Sequence, residues 1–235
     1  MSATVESFAS GGRLLSLDVF MPAAPGKVPV VLVLHGSFGM LPKYRADIVS
    51  FADALVVGGI GAAIPHYLDA TGDGPALPMD RESLARVINA KHLLWRGACG
   101  DALTALAGDA RFDATRIGVL GFSLGGYLAL SLAMDPPAAA PVRAVVDFFG
   151  PTDLLDTRWS SLPPVHVFHG TDDLVVNIAQ SKRLVSGLTA AGRKEGTDFF
   201  YTEYEKQGHG FTDPRLTESR GLTVEFFKSL LQDSP

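Results

Sequence analysis

The sequence predicts one domain of the α/β class, with a mostly parallel sheet of about eight strands and helices on both faces. Three observations carry that reading. Short apolar runs alternate along the chain with stretches of helical periodicity, the order that crossover connections need to place strands in parallel. Val30-Val31-Leu32-Val33-Leu34 is apolar without interruption, as expected of a strand shielded from water on both faces. Arg116 to Leu130 passes from an apolar run through glycines into Ala/Leu-rich helical spacing, which reads as strand, sharp turn and helix.

Composition fits that class. A chain of 235 residues buries roughly 70–75% of its unfolded surface around one core. No Pro/Gly/Ser-rich linker divides it, so residues 1–235 are read as a single domain. The hydrophobic fraction of 47% and charged fraction of 19% exclude disorder as the default. A net charge of -5 leaves no basic footprint for nucleic acid. The N-terminal Met1 to Phe8 lacks a basic region followed by an apolar core, and no run reaches the ~18 apolar residues of a membrane span. A cytoplasmic protein with no membrane partner is therefore expected. The single cysteine, Cys99, has no internal disulfide partner and reads as a small buried residue.

Taken in order, Thr4 to Phe8 and Arg13 to Met21 are β-type runs around Ser10-Gly11-Gly12, hence a hairpin. The Val30 to Leu34 strand ends at His35-Gly36-Ser37-Phe38-Gly39. Ala46 to Val57 has the apolar spacing of an amphipathic helix, stopped by Gly58-Gly59. Ile60 to Ile64 is a short buried strand, and Pro65 to Pro78 a loop in which His66 and Tyr67 stand either in a pocket or on the surface. Asp80 to Leu106 is helical, locally weakened by Gly97 and Gly100. The helix after Ser123 runs to Met134, where Asp135-Pro136-Pro137 closes it. Arg143 to Phe149 is a strand and Gly150 to Pro164 a loop near the site. Val165 to Phe168 is a strand that breaks into His169-Gly170-Thr171-Asp172-Asp173. Asn177 to Ala191 is helical, Asp198 to Tyr204 the last strand, and Leu216 to Leu231 the closing helix.

Within the central stretch, Gly121-Phe122-Ser123-Leu124-Gly125 fits G-x-S-x-G, a turn that lifts a serine hydroxyl above the sheet edge at a helix N-terminus. With 25 glycines in the chain the pattern alone is weak, and its strand and helix context carries the weight. Against the bland reading of a helix-capping serine stands the rest of the constellation. An aspartate at 172 or 173 and His209, in Gln207-Gly208-His209-Gly210-Phe211, each follow a predicted strand. A serine hydroxyl is a poor nucleophile until an imidazole takes its proton and a carboxylate orients that imidazole, so the order Ser, Asp, His points to acyl transfer. Such chemistry needs two N–H donors for the oxyanion, and those of Ser37 and Leu124 are the expected pair.

Four motifs together resemble the dienelactone hydrolase family of α/β hydrolases: Leu34 to Gly39, Asp113 to Gly126, His169-Gly170-Thr171-Asp172-Asp173 and Gly208-His209-Gly210-Phe211. The resemblance covers nearly the whole chain and implies the α/β-hydrolase fold. Its usual His-Gly-x-x-Asp element maps the acid onto Asp173, and its Gly-His-x-Phe element maps the base onto His209. Three departures shift the expected substrate. The nucleophile of true dienelactone hydrolases is cysteine where this chain has Ser123, an acidic residue stands in them at Gly36, and their arginine just after the histidine is unmatched. The resemblance thus implies a serine esterase for small carboxylic esters or lactones, without cofactor, ahead of a dienelactone or thioester hydrolase. Leu124, Trp159 and Phe211 are expected to line an apolar pocket, with Arg158 and Arg215 as cations that meet a substrate carboxylate or stay solvated. Oligomeric state is left open.

Two rivals come from other classes. Gly121-x-Ser123-x-x-Gly126 with Asp147 downstream approximates a dinucleotide-binding fingerprint, but its middle glycine is missing and it lies mid-chain. A triad-bearing fold turned binding protein has the intact triad against it. His166 and His169 have a chelate-like look, yet residues three apart in a strand point to opposite faces, so no metal site is expected.

Overall fold

The computed structural model of the protein describes residues 3–74, 76–77 and 80–232. Its strands are β1 (Thr4–Ser10), β2 (Arg13–Phe20), β3 (Val28–Leu34), β4 (Gly61–Pro65), β5 (Phe112–Phe122), β6 (Val142–Phe148), β7 (Val165–Gly170) and β8 (Phe199–Tyr204). They form one eight-stranded sheet in the order β1-β2-β4-β3-β5-β6-β7-β8. The first two pairings are antiparallel and the rest parallel. The helices are α1 (Pro42–Val57), α2 (Arg81–Gly108), α3 (Leu124–Met134), α4 (Ala179–Ala190) and α5 (Arg215–Leu231). Among the described residues no helix is long and apolar enough to cross a membrane.

Each face of the sheet has its own core. Val30, Leu32 and Leu34 of β3 pack with Trp95 and Leu103 of α2, Leu128 of α3 and Leu184 of α4. Val31 and Val33 pack on the opposite face with Phe51 and Leu55 of α1 and Phe227 of α5. All seven β3 residues are buried, which is why the strand reads as an unbroken apolar run. Burying each such side chain contributes roughly 1.5–3 kcal/mol. Gly118 in β5 makes room for a ring: a Cβ there would stand 2.6 Å from Phe227 Cε1.

Most boundaries shift by a few residues, and three differences change the local reading. The first helix starts at Pro42 rather than Ala46, with proline in its first turn; that turn is mostly exposed and carries no apolar periodicity. Tyr67–Thr71, expected as loop, is a 3₁₀ turn. It is tied to α2 by Trp95 Nε1, which donates to Thr71 Oγ1 at 2.6 Å, and by Lys91 Nζ, 2.7 Å from Asp73 Oδ1. Trp159–Ser161 is likewise a short 3₁₀ turn inside the Gly150 to Pro164 loop. The helix expected from Asp80 uses that residue as its cap, the Asp80 carboxylate accepting from Ser83 N–H at 2.8 Å. Pro78, the expected end of the preceding loop, and Met1 and Ser2 of the N-terminal reading lie outside the described residues.

Candidate active site

The chain runs from β3 to β4 on one side and then passes back over β3 to form β5. At such a switch point the connections leave adjacent strand ends in opposite directions and open a crevice. The C-terminal ends of β3 and β5 carry His35 to Gly39 and Ser123, with Leu34 and Gly121 in register.

Ser123 sits between β5 and α3 at φ 55, ψ -118, a conformation that costs an L residue on the order of 1–3 kcal/mol. The surroundings hold it there. Ser123 N–H donates to Phe148 O at 2.9 Å, and its carbonyl accepts from Gly126 and Tyr127 N–H at 2.8 and 3.1 Å. Glycine is required around the turn by close approach. A Cβ would lie 2.0 Å from Gly125 O at Gly121, 2.2 Å from Leu34 O at Gly125, and 2.2 Å from Asp147 Oδ1 at Gly126.

The loop after β8 brings His209 Nε2 to 2.9 Å from Ser123 Oγ, and His209 Nδ1 to 2.7 Å from Asp173 Oδ2. Asp173 Oδ1 accepts from Val175 and Val176 N–H, both at 2.8 Å. Burial alone would raise the Asp173 carboxyl. Hydrogen bonds from His169 and His209, the His209 charge and the Val176 N–H outweigh it and hold the group well below the usual carboxylate range. With Asp173 ionised, the His209 proton resides on Nδ1, which leaves Nε2 as acceptor for the serine hydroxyl.

The loop after β3 lies against this turn, a Cβ on Gly36 being 3.4 Å from Ser123 Cβ. Tyr67, fully buried, donates its hydroxyl to His35 O at 2.6 Å and stacks on the His35 ring at 4.2 Å between centroids. Burial pushes the His35 imidazole down to about 4, so it is neutral at pH 7, with Nδ1–H donating to Gly36 O at 2.9 Å. Leu77 N–H caps Ser37 O at 2.9 Å. Leu124 opens α3, where first-turn N–H groups have no partner inside the helix. Ser37, Ser123 and Leu124 line one cavity.

That cavity measures about 530 Å³, within the range of small-molecule sites. Tyr44, Ile48 and Phe51 of α1 form one side, Leu84, Ala85 and Ile88 of α2 another, and Phe149, Val176 and Phe211 lie near His209. Asp47 and Arg81 are the carboxylate and the guanidinium on the wall.

With the site described, the comparison with known sequences is direct: the dienelactone hydrolase family profile matches residues 17–222. The chain belongs to the dienelactone hydrolase family. Hydrolase LUC6 of a Fusarium species is 33% identical over 167 residues, which is 68% of this chain and 36% of that protein. The chain therefore spans about a third of the length of that relative. Two solved structures share its fold. A dienelactone hydrolase from Anabaena variabilis superposes with a TM-score of 0.71 at 23% identity, covering 98% of this chain and 99% of that one. A puromycin-hydrolyzing peptidase of Mycobacterium tuberculosis gives a TM-score of 0.75 at 20% identity, covering 99% and 40%.

In this dienelactone hydrolase family member hydrogen bonds join Ser123, His209 and Asp173, and Ser37, Leu124 and Phe211 line the same cavity as Ser123 and His209. Trp159 does not, and its pocket assignment is corrected. Its ring fills the space left by Gly187 of α4, where a Cβ would stand 2.4 Å from Trp159 Nε1, and Arg183 covers it at 5.9 Å. Tyr67 supports the β3 loop from behind, and His66 lies 3.4 Å from Asp18 Oδ1; neither lines the cavity. Arg158 pairs with Asp156 and Arg215 with Glu218, both away from it. Sequence reasoning missed Arg81 and Phe149. Phe149 follows β6 directly, has φ 44 and lies 4.6 Å from the His209 ring, so the rule that strand ends build the site would have found it. His166 and His169 face opposite sides of β7: His166 stacks on Phe168 at 4.0 Å, whereas His169 reaches Ser181 of α4.

Proposed function

We propose that the protein is a serine hydrolase that cleaves small carboxylic esters or lactones through an acyl-enzyme. The observation that carries this reading is the continuous hydrogen-bonded chain Ser123 Oγ, His209 Nε2, His209 Nδ1, Asp173 Oδ2, with links of 2.9 and 2.7 Å. His209 accepts the Ser123 proton as Oγ attacks the acyl carbon, and Asp173 stabilises the imidazolium that forms. The oxyanion is met by Ser37 and Leu124 N–H, donors whose loss typically costs about 10²–10³ in kcat. The imidazolium then protonates the departing alcohol. A water molecule, deprotonated by His209, attacks the acyl carbon and releases the acid and Ser123.

The largely apolar cavity, with walls on α1 and α2, supports a neutral ester of modest size carrying apolar groups on both sides of the scissile bond. A panel of aryl esters of graded acyl length, with lactones and thioesters alongside, tests the reading. Turnover of short aryl esters that disappears in Ser123→Ala is expected. Turnover that persists in that variant, or none across the panel, sinks it.

A further inference from the structure

Asp173 Oδ2 faces two imidazoles. Besides His209 at 2.7 Å, His169 Nε2 stands 3.4 Å away, and the side chains of His169 and Asp173 are both fully buried. The same Nε2 is 2.9 Å from Val176 O, and His169 Nδ1 is 2.5 Å from Ser181 Oγ. A carbonyl and a carboxylate are both acceptors, so these neighbours assign the proton to Nε2, which donates to Val176 O with Asp173 Oδ2 beside it. Nδ1 then accepts the Ser181 hydroxyl. From β6, the buried Asp147 carboxyl acts on His169 through space, and the Phe149 ring meets it edge-on at 6.4 Å.

A protonated Nε2 3.4 Å from Oδ2 restrains that oxygen and draws charge from it. The first effect holds Asp173 in line with His209. The second tempers how strongly the carboxylate stabilises the His209 imidazolium.

We propose that His169 is a positioning residue for the Ser123-His209-Asp173 site, fixing Asp173 and tempering its stabilisation of the His209 imidazolium. This rests on the esterase reading above. The charged and titratable groups around His209 are Asp173 and Ser123, with Asp47 and Arg81 on the cavity wall. Around His169 they are Asp173, Asp147 and Ser181.

The test is the pH profile of kcat/KM for a short aryl ester, whose acid limb reports the base in the free enzyme. In His169→Phe, kcat is expected to fall about 10-fold with KM within about twofold, and the acid limb to move up by about half a pH unit. His169→Gln, which keeps an N–H donor, returns part of both. An acid limb that stays at its wild-type position in His169→Phe overturns the proposal, as does a loss confined to KM. Should His169→Phe not fold, His169→Met, which also lacks an N–H donor, carries the same test: an upward shift supports the proposal and an unmoved limb overturns it. Activity that survives Ser123→Ala would instead show failure of the esterase reading itself.

Discussion

His209 Nδ1 lies 2.7 Å from Asp173 Oδ2, while the adjacent Asp172 turns outward and accepts the Thr171 hydroxyl at 2.9 Å. Two neighbouring carboxylates therefore have separate fates. Asp173→Asn is expected to lower kcat on the order of 10⁴-fold by leaving the wrong imidazole tautomer, and Asp172→Asn to stay near wild type. Saturating-ester kcat of the two variants checks this, and the reverse ranking would overturn the assignment.

Ser123 is the cavity-lining end of the same chain of hydrogen bonds. A fluorophosphonate is expected to label the protein once, and Ser123→Ala to abolish labelling with an unchanged circular dichroism spectrum. Intact-mass measurement reads the result. Cys99 gives no competing signal, since burial raises its thiol pKa and removes it from solvent.

Asp147 is buried beneath the turn with one oxygen accepting Gly150 N–H at 3.1 Å and the other without a partner among the described residues. Burial pushes its carboxyl up to about 7, against the opposing pull of His169 and Gly150 N–H. Between the ordinary value of 3.8 and about 7 the folded state holds a proton that the unfolded state has lost. Its contribution to stability is thus complete below about pH 4 and is lost as pH rises to about 7. Asp147→Asn is expected to raise Tm relative to wild type at pH 8, by about 2–4 °C for each kcal/mol recovered, with a smaller difference at pH 5. Equal differences at the two pH values would contradict this.

Arg81 stands at the N-terminal end of α2 on the cavity wall, with Nη2 donating to Leu174 O at 2.9 Å. Its remaining donors give the wall a cation. Arg81→Ala is expected to raise KM about 10-fold for esters that carry a carboxylate and to leave neutral esters within about twofold, the loss of one charge-assisted contact. Parallel kinetics on a matched neutral and anionic ester pair decide it.

The fold was legible because each buried element advertises itself locally: β3 as an unbroken apolar run, α2 by its periodicity from the Asp80 cap onward. The first turn of α1 was not, since Pro42, Lys43 and Arg45 face solvent and carry no apolar rhythm. Ser123, Asp173 and His209 were legible because each belongs to a short motif whose glycines and spacing encode a strand end. Cavity walls have no such code. Arg81 and Tyr44 enter from helices remote in sequence, and Trp159 was misassigned because nearness in sequence to β6 does not determine which side of α4 a loop covers.

The glycines around Ser123 bear on how this sequence can diverge. Enlarging Gly121 or Gly125 meets main-chain atoms at 2.0 and 2.2 Å, which no change of another side chain removes, so neutral drift is closed at both. Gly126 and Gly150 first meet Asp147 Oδ1, at 2.2 and 2.3 Å, but main-chain atoms stand at 2.9 Å behind it, Gly150 Cα for Gly126 and Gly126 C for Gly150. Shrinking residue 147 therefore opens neither position, and all four glycines can vary only together with the path of the main chain itself.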